Sequence, residues 1–400
     1  MAREDDVEVL VRRIFKDISS AFRRNPDIDE IGVIACPEAR YNRSPVVAVG
    51  PKLGLESWCL KLLAPHLHSR LVQHRRGKIW LDPDALVELT HTLLLLNPDC
   101  TTAWNVRKEL IQVGLLQPGK DLWLGRLALS RFPKSPDTWI HRRWLLQRLV
   151  AAKEIAEAPS GDFFEAFQTL LHGELVVCTA AADRYPSNYN AWSHRCWVIQ
   201  HLAGCCPKVL QAELESTQAW VENHVSDHSG FHYRQFLLGA LAADTVGMSQ
   251  ACVHMHPSTN IPAVEMCAGG SLAAQHIHNE FDLCTDLNLA YPGHESLWSH
   301  RRFLFHLWHK VAGAMSGEIY NGPLRSLSPL AVSLQTLETH DEGHERKRLK
   351  RCPSWQRHDL QAEQEFAAGF LAKSMNHVQS RFASTYLKWI DAVSGSWTPP

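Results

Sequence analysis

The chain has 400 residues, of which 45% are hydrophobic and 21% charged, with a formal net charge of −1. That is an ordinary globular balance, and the near-neutral charge excludes a general nucleic-acid binder, which needs a strong basic excess. No apolar run approaches the roughly 20 residues that span a bilayer; the longest candidate, Leu93 to Leu96, stops at Asn97-Pro98.

The start, Met-Ala-Arg-Glu-Asp-Asp, lacks a basic region followed by an apolar one, so no secretory signal is read there. The eleven cysteines are scattered through apolar stretches such as Val-Val-Cys178-Thr-Ala. A reduced, cytoplasmic protein with buried thiols is the expectation.

In chain order, a first helix is predicted from about Asp5 to Arg23, with Val9, Ile14 and Ile18 as its apolar residues. A second is predicted over Leu55 to Arg75, interrupted by Pro65. The part between, with Pro37, Pro45 and Pro51, reads as a linker or irregular cap. Residues 1–82 then form the polar end cap that a stack of repeats needs.

From residue 83 to 310 one pattern recurs. It reads Trp104-Asn-Val-Arg107, Trp139-Ile-His141-Arg142-Arg-Trp144, Trp192-Ser-His194-Arg195-Cys-Trp197, Phe231-His-Tyr-Arg234-Gln-Phe236 and Trp298-Ser-His300-Arg301-Arg-Phe303. The copies are spaced by 35, 53, 39 and 67 residues; two spacings lie near the roughly 34-residue period of helix-turn-helix repeats. Pro98, Pro133, Pro186 and Pro292 each stand six residues before the motif Trp, whereas the Phe231 copy has Val225 there. A proline at a fixed place before a helix start marks the end of one helix and the beginning of the next. Upstream of each proline lie i,i+4 apolar pairs, Leu89/Leu93, Leu124/Ala128, Val177/Ala181 and Leu283/Leu287. Downstream, Ser135-Pro136-Asp137 offers an N-cap, a first-turn proline and an acid at the positive helix end. Each unit is thus a helix A, a proline turn and a helix B opening at the Trp. Helix B carries bulky residues on two sides, Trp139 and Leu146 on one and His141, Trp144 and Leu145 on another, so it is sandwiched between neighbours. The motif His and Arg are expected to cap carbonyls of adjacent helices or to pair with acids between repeats.

Past Phe231 an insertion of about 30 residues, placed at 243–275, reads as a mobile loop. Residues 247–278 contain Cys252, His254, His256, Cys267, His276 and His278, whose spacing matches no established zinc pattern, so no metal site is assigned. Residues 311–358 read as a flexible basic loop with the cluster Arg346-Lys-Arg-Leu-Lys-Arg351, either a solvated loop or a targeting signal. Residues 359–400 regain helical character as a C-terminal helix, with Phe366, Phe370, Leu371 and Tyr386 as packing candidates.

The five registered copies resemble the repeats of protein prenyltransferase alpha subunits. Asn97-Pro-Asp-Cys-Thr-Thr-Ala-Trp-Asn-Val-Arg107 is similar to the first repeat of the Rab geranylgeranyltransferase alpha subunit, and Phe132-Pro-Lys-Ser-Pro-Asp-Thr-Trp-Ile-His-Arg-Arg-Trp-Leu-Leu146 to its second. The resemblance implies an all-α fold, a right-handed α-α superhelix (solenoid) of five helical hairpins with N- and C-terminal helical extensions. It further implies a non-catalytic alpha subunit of a heterodimeric protein geranylgeranyltransferase. Its partner would be a zinc-bearing beta subunit of the Rab type, transferring a C20 prenyl group to a C-terminal cysteine of a membrane-trafficking protein. Zn²⁺ and geranylgeranyl diphosphate would sit on that beta subunit, with no cofactor or metal on this chain.

By the same resemblance Lys134 would lie beside the diphosphate, where a cation offsets charge on the leaving group, and Tyr189 would face the active-site cleft. The residues alone leave Lys134 readable as a solvated turn lysine and Tyr189 as a turn residue packed on the next helix. The divergent fourth copy, the insertion and the unregistered ends leave two other functions open. One is a solenoid scaffold for another protein; the other is a regulator that sequesters a beta subunit without turnover.

Overall fold

The structure, a computed structural model, describes residues 4–36, 43–155, 161–254, 263–315, 360–373 and 376–395. They divide into two compact units, residues 1–204 and 205–400.

The first unit opens with α1 (Glu4–Arg24), strands β1 (Glu30–Ile34), β2 (Val46–Val49) and β3 (Lys52–Glu56), and α2 (Ser57–Arg75). It continues with α3 (Pro83–Leu96), α4 (Thr101–Gln112), α5 (Pro118–Arg131), α6 (Pro136–Ile155), α7 (Gly161–Arg184) and α8 (Tyr189–His201). Three successive hairpins, α3–α4, α5–α6 and α7–α8, are packed in two layers: α3, α5 and α7 touch in one layer, and α4, α6 and α8 in the other. The second unit holds α9 (Pro207–Asn223), α10 (His228–His254), α11 (Ala263–Ala290), α12 (Glu295–Met315), α13 (Leu360–Lys373) and α14 (His377–Gly395). Here α10, α12 and α14 form the layer of B helices. Each unit stacks helical hairpins, three in each among the described residues, so the fold is predominantly α-helical. Prolines at the first helical position open α3, α5, α6 and α9, where a missing N–H costs nothing. The side chain of Asp82 caps α3 by accepting from the Ala85 amide at 2.7 Å.

Of the eight residues in the predicted i,i+4 pairs, all but the partly buried Leu283 are buried. Helix B is buried on two sides: Trp139, His141, Leu145 and Leu146 are all inside.

Five sequence expectations need correcting. The segment read as a linker or irregular cap contains a three-stranded sheet of order β1-β3-β2, parallel between β1 and β3 and antiparallel between β2 and β3. Ile31, Leu53 and Leu55 from one face of it are buried, in a core shared with Ile14 and Ile18 of α1. The runs are too short and glycine-interrupted for period-2 alternation to stand out. In α1, Val9 is 68% exposed and Val11 takes the expected core place. Pro65 does not interrupt α2. A single lost i→i−4 bond is outweighed there by the buried stripe Leu63, Leu67 and Leu71. The insertion is helical wherever it is described, lengthening α10 and α11 to 27 and 28 residues. Finally, the C-terminal region is two helices packed on each other, α13 and α14, and makes a sixth hairpin. The basic cluster near 346–351 lies outside the described residues.

Candidate functional site

The hairpin turns explain the fixed proline. The indole N–H of Trp104 donates to the carbonyl of Pro98 at 2.7 Å, and that of Trp139 to the carbonyl of Pro133 at 3.0 Å. A six-residue spacing is what lets an indole on the first turn of helix B reach back to the turn. Ser135 caps α6, accepting from the Thr138 amide. The turns are also tied to one another. Thr101 donates to Asp137 at 2.6 Å and Ser135 to Asp99 at 2.6 Å. Asn188 donates to the Pro133 carbonyl at 2.9 Å and Asn190 to the Lys134 carbonyl at 2.8 Å. In the first unit the turns before α4, α6 and α8 therefore form one hydrogen-bonded rim.

The motif Arg and His form a second ladder inside the stack. Arg107, Arg142, Arg234 and Arg301 each reach forward to a carboxylate on helix A of the next hairpin, and a His or Tyr of that next hairpin binds the same carboxylate. Arg107 Nη2 lies 2.5 Å from Asp121 Oδ1, and His141 Nε2 donates to Asp121 Oδ2 at 2.9 Å. Arg142 holds Glu174 through two donors at 2.8 and 2.5 Å, while His194 Nε2 donates to Glu174 at 2.7 Å. Arg234 and His300 converge in the same way on Glu280. At the end of the ladder Arg301 and Tyr386 converge on Glu363. In the divergent copy Tyr233 replaces the His and donates to Glu213 at 2.5 Å. Each Arg also donates backward to its own helix A: Arg107 to the Val87 carbonyl and Thr90, Arg195 to the Leu175 carbonyl and Thr179, Arg234 to the Leu214 carbonyl and Thr217. Four of the motif rings support the next latch: Trp104 stacks on His141 with centroids 4.3 Å apart, and Trp139, Phe231 and Trp298 face His194, His300 and Tyr386.

The Arg, His, Tyr and carboxylate groups of the ladder are all buried. Burial favours the neutral acid, yet Glu174 is held down at about 2, because the Arg142 charge and the bonds from His194 and Arg142 outweigh desolvation. Asp121 and Glu280 are likewise lowered against their own burial. Burial holds His141 and His194 below the usual imidazole value. A pairing in which each carboxylate is held by buried donors and nothing opens to solvent is a structural device. It is not a site for chemistry.

Sequence reading missed the carboxylates. Their signal is a constant 20-residue lead: Asp121 before His141, Glu174 before His194, Glu213 before Tyr233 and Glu280 before His300. The first hairpin, which no earlier Arg reaches, has buried Leu86 and Val106 at the corresponding places.

The residues left over for function lie on the rim. Lys134 is exposed at the turn before α6, its ammonium 3.8 Å from the ring centroid of Tyr185. Tyr189 is 67% exposed at the start of α8. The Asn190–Lys134 bond brings these two turns together. Next to them Arg143 of α6 is half-buried, with Nε donating to His194 Nδ1 at 3.3 Å and Nη2 to Ser193 at 3.4 Å. No cluster of His, Cys, Asp or Glu that could hold a metal occurs among the described residues. Of the insertion's candidates only His276 and His278 have described side chains; Cys252, His254, His256 and Cys267 fall outside. No helix of the described residues is long and apolar enough to cross a membrane.

The sequence pattern of the protein prenyltransferase alpha subunit repeat matches residues 171–202, 210–241 and 277–308, the third, fourth and fifth hairpins. The chain is 48% identical to protein prenyltransferase alpha subunit repeat-containing protein 1 of Danio rerio, over 98% of this chain and 99% of that protein. It is 48% identical to the Homo sapiens protein of the same name, over 98% of each. It is 27% identical to the geranylgeranyl transferase type-2 subunit alpha of Mus musculus, over 55% of this chain and 34% of that subunit.

Proposed function

This chain belongs to the family of protein prenyltransferase alpha-subunit repeat proteins, and from that premise we propose that it is the non-catalytic alpha subunit of a heterodimeric protein geranylgeranyltransferase. The partner is a beta subunit of the Rab type, which carries the zinc and the geranylgeranyl diphosphate. Zinc holds the acceptor cysteine as a thiolate, the form that attacks the prenyl carbon. The alpha chain presents a rigid rim to that site. Lys134 supplies a positive charge beside the diphosphate, and Tyr189 lines the cleft.

The observation that carries this reading is the state of Lys134. Among the described residues its ammonium has an aromatic ring as its contact and no carboxylate partner. It sits on a rim whose backbone is fixed by hydrogen bonds from Asn188 and Asn190. A fixed, uncompensated cation is what a leaving diphosphate needs, since it stabilises developing charge without rearranging.

The test is co-expression with each type of prenyltransferase beta subunit, then co-purification and a prenyl-transfer assay on cysteine-bearing acceptors. A stable complex with transfer activity is expected. In that complex Lys134→Ala should lower turnover by about 10-fold or more and leave complex formation intact. Failure to co-purify with any beta subunit removes the assignment; a complex without turnover makes the chain a sequestering regulator.

A further inference from the structure

Cys205 and Cys206, just ahead of α9, hold two positions where the backbone calls for other residues. Cys206 is the N-cap of α9, with Pro207 at the first helical position, yet its side chain makes no capping hydrogen bond. A Ser, Thr, Asp or Asn there would accept from a free N–H of the helix start. Cys205 has φ +53, in the left-handed region, where glycine is at ease and a side chain is strained. The preceding position does hold a glycine, Gly204 at φ +57. Gly followed by Ser would therefore form this turn better than Cys-Cys does, so the fold does not account for either thiol.

The two thiols are also the accessible ones. Of the eight cysteines with described side chains, Cys36, Cys59, Cys100, Cys178 and Cys284 are buried. Cys196 is partly buried, and burial pushes its thiol up to about 12. Cys205 is half-buried, and Cys206 is the exposed one of the eight. Burial also raises the Cys205 thiol above its ordinary value, so access and acidity both make it the slower of the pair. Thiols on successive residues form a dithiol, in which the group that reacts first stays within reach of the second.

We propose that Cys205 and Cys206 are a modification site for small disulfides of the glutathione class, with Cys206 as the attacking thiol and Cys205 as the resolving one. The Cys206 thiolate attacks one sulfur of the disulfide; a Cys206–glutathione bond forms and the other glutathione leaves as a thiolate, which takes up the proton that Cys206 released. Cys205 then loses its proton and attacks the Cys206 sulfur, closing a Cys205–Cys206 disulfide and expelling the second glutathione. Two protein thiols are oxidised and one disulfide is reduced to two thiols. The peptide bond between the two residues is trans, which sets their Cα atoms about 3.8 Å apart. Ordinary disulfides begin at about 4.4 Å. The closed ring is therefore strained and readily reopened by thiols, which makes the modification reversible.

The experiment treats the folded full chain with oxidised glutathione, quenches it in acid and digests it without reduction. The mass of the peptide carrying both residues is then measured, with fragmentation to place the bond. An internal Cys205–Cys206 disulfide, two hydrogens lighter than the dithiol, is expected, and dithiothreitol should restore both thiols. Cys205→Gly should lose the ring product and accumulate the Cys206–glutathione adduct. Cys206→Ser should slow modification of Cys205 at least about tenfold. Each variant supplies the residue that the backbone favours, so both should melt no lower than the unaltered chain. The proposal is overturned by an unmodified peptide from the unaltered chain, by a bond to Cys196 in place of the ring, or by equal adduct on the unaltered chain and Cys205→Gly.

Discussion

His194 Nε2 lies 2.7 Å from Glu174 Oε1, across twenty residues of chain and one hairpin turn. Arg142, from the preceding hairpin, grips the same carboxylate. One acid thus fixes three helices, α6, α7 and α8. Because the geometry recurs at Asp121, Glu280 and Glu363, it sets the register of successive hairpins within each unit.

Removing a partner from such a latch strands a buried charge. Glu174→Gln should destabilise the chain by about 3–5 kcal/mol, read as a lowered urea midpoint. The double substitution Arg142→Met with Glu174→Leu should cost clearly less than Glu174→Gln, since no unpaired charge remains. If the double variant is the less stable of the two, the latch contributes net attraction beyond register.

Acid should weaken the stack in two stages. His141 and His194 are held below the ordinary 6.5 by burial, which the bonds to Asp121 and Glu174 only partly oppose. The unfolded chain therefore takes up protons first, and stability is lost as pH falls below 6.5. Glu174 has a folded value of about 2 against 4.5 when unfolded, so its contribution is whole above pH 4.5 and disappears between 4.5 and about 2. Melting temperature should be level at neutral pH, begin to fall below about 6.5 and fall more steeply below about 4.5. A level melting curve down to pH 4 would contradict the latch electrostatics.

Gly125 stands 17 residues before Arg142, the interval that separates Thr90 from Arg107 and Thr217 from Arg234. A methyl group there would lie 3.1 Å from Arg142 Nη1 and 3.4 Å from its Cγ. Arg142 cannot give way, being held by Glu174 and by the Leu122 carbonyl at 2.6 Å. Gly125→Ala should therefore destabilise by about 1–2 kcal/mol, despite the roughly 1 kcal/mol by which alanine favours a helix. A rise in the denaturation midpoint would show that Arg142 has room to move.

Asn188 is fully buried, caps α8 by accepting from the Ala191 amide, and donates to the carbonyls of Pro133 and Ala181. Asn188→Ala should cost about 2–3 kcal/mol from the lost cap and two stranded carbonyls. It should also raise amide hydrogen exchange in the Tyr189–Asn190 turn. Unchanged exchange there would mean that the rim is held by Asn190 alone.

The architecture was legible because its signals are local. Proline at a fixed offset, i,i+4 pairs and an aromatic at each helix start are all written within one hairpin, and at Trp104 and Trp139 an indole-to-proline hydrogen bond uses that offset. The sheet of residues 30–56 and the sixth hairpin were not legible. The first is too short for its alternation to register, and the second lacks the Trp-x-His-Arg signature.

The sequence by itself determined the hairpins, their number within the repeat region, and the rim positions Lys134 and Tyr189. Tertiary structure alone decided what the conserved-looking His and Arg do. Asp121, Glu174, Glu280 and Glu363 are ordinary acids in the sequence, and only packing one hairpin on the next places each between an Arg and a His or Tyr. The same packing shows that Arg142 is spent on this pairing while its neighbour Arg143 is not. Identical residue types one position apart are turned by about 100° around a helix, and the partners each meets there decide what it does.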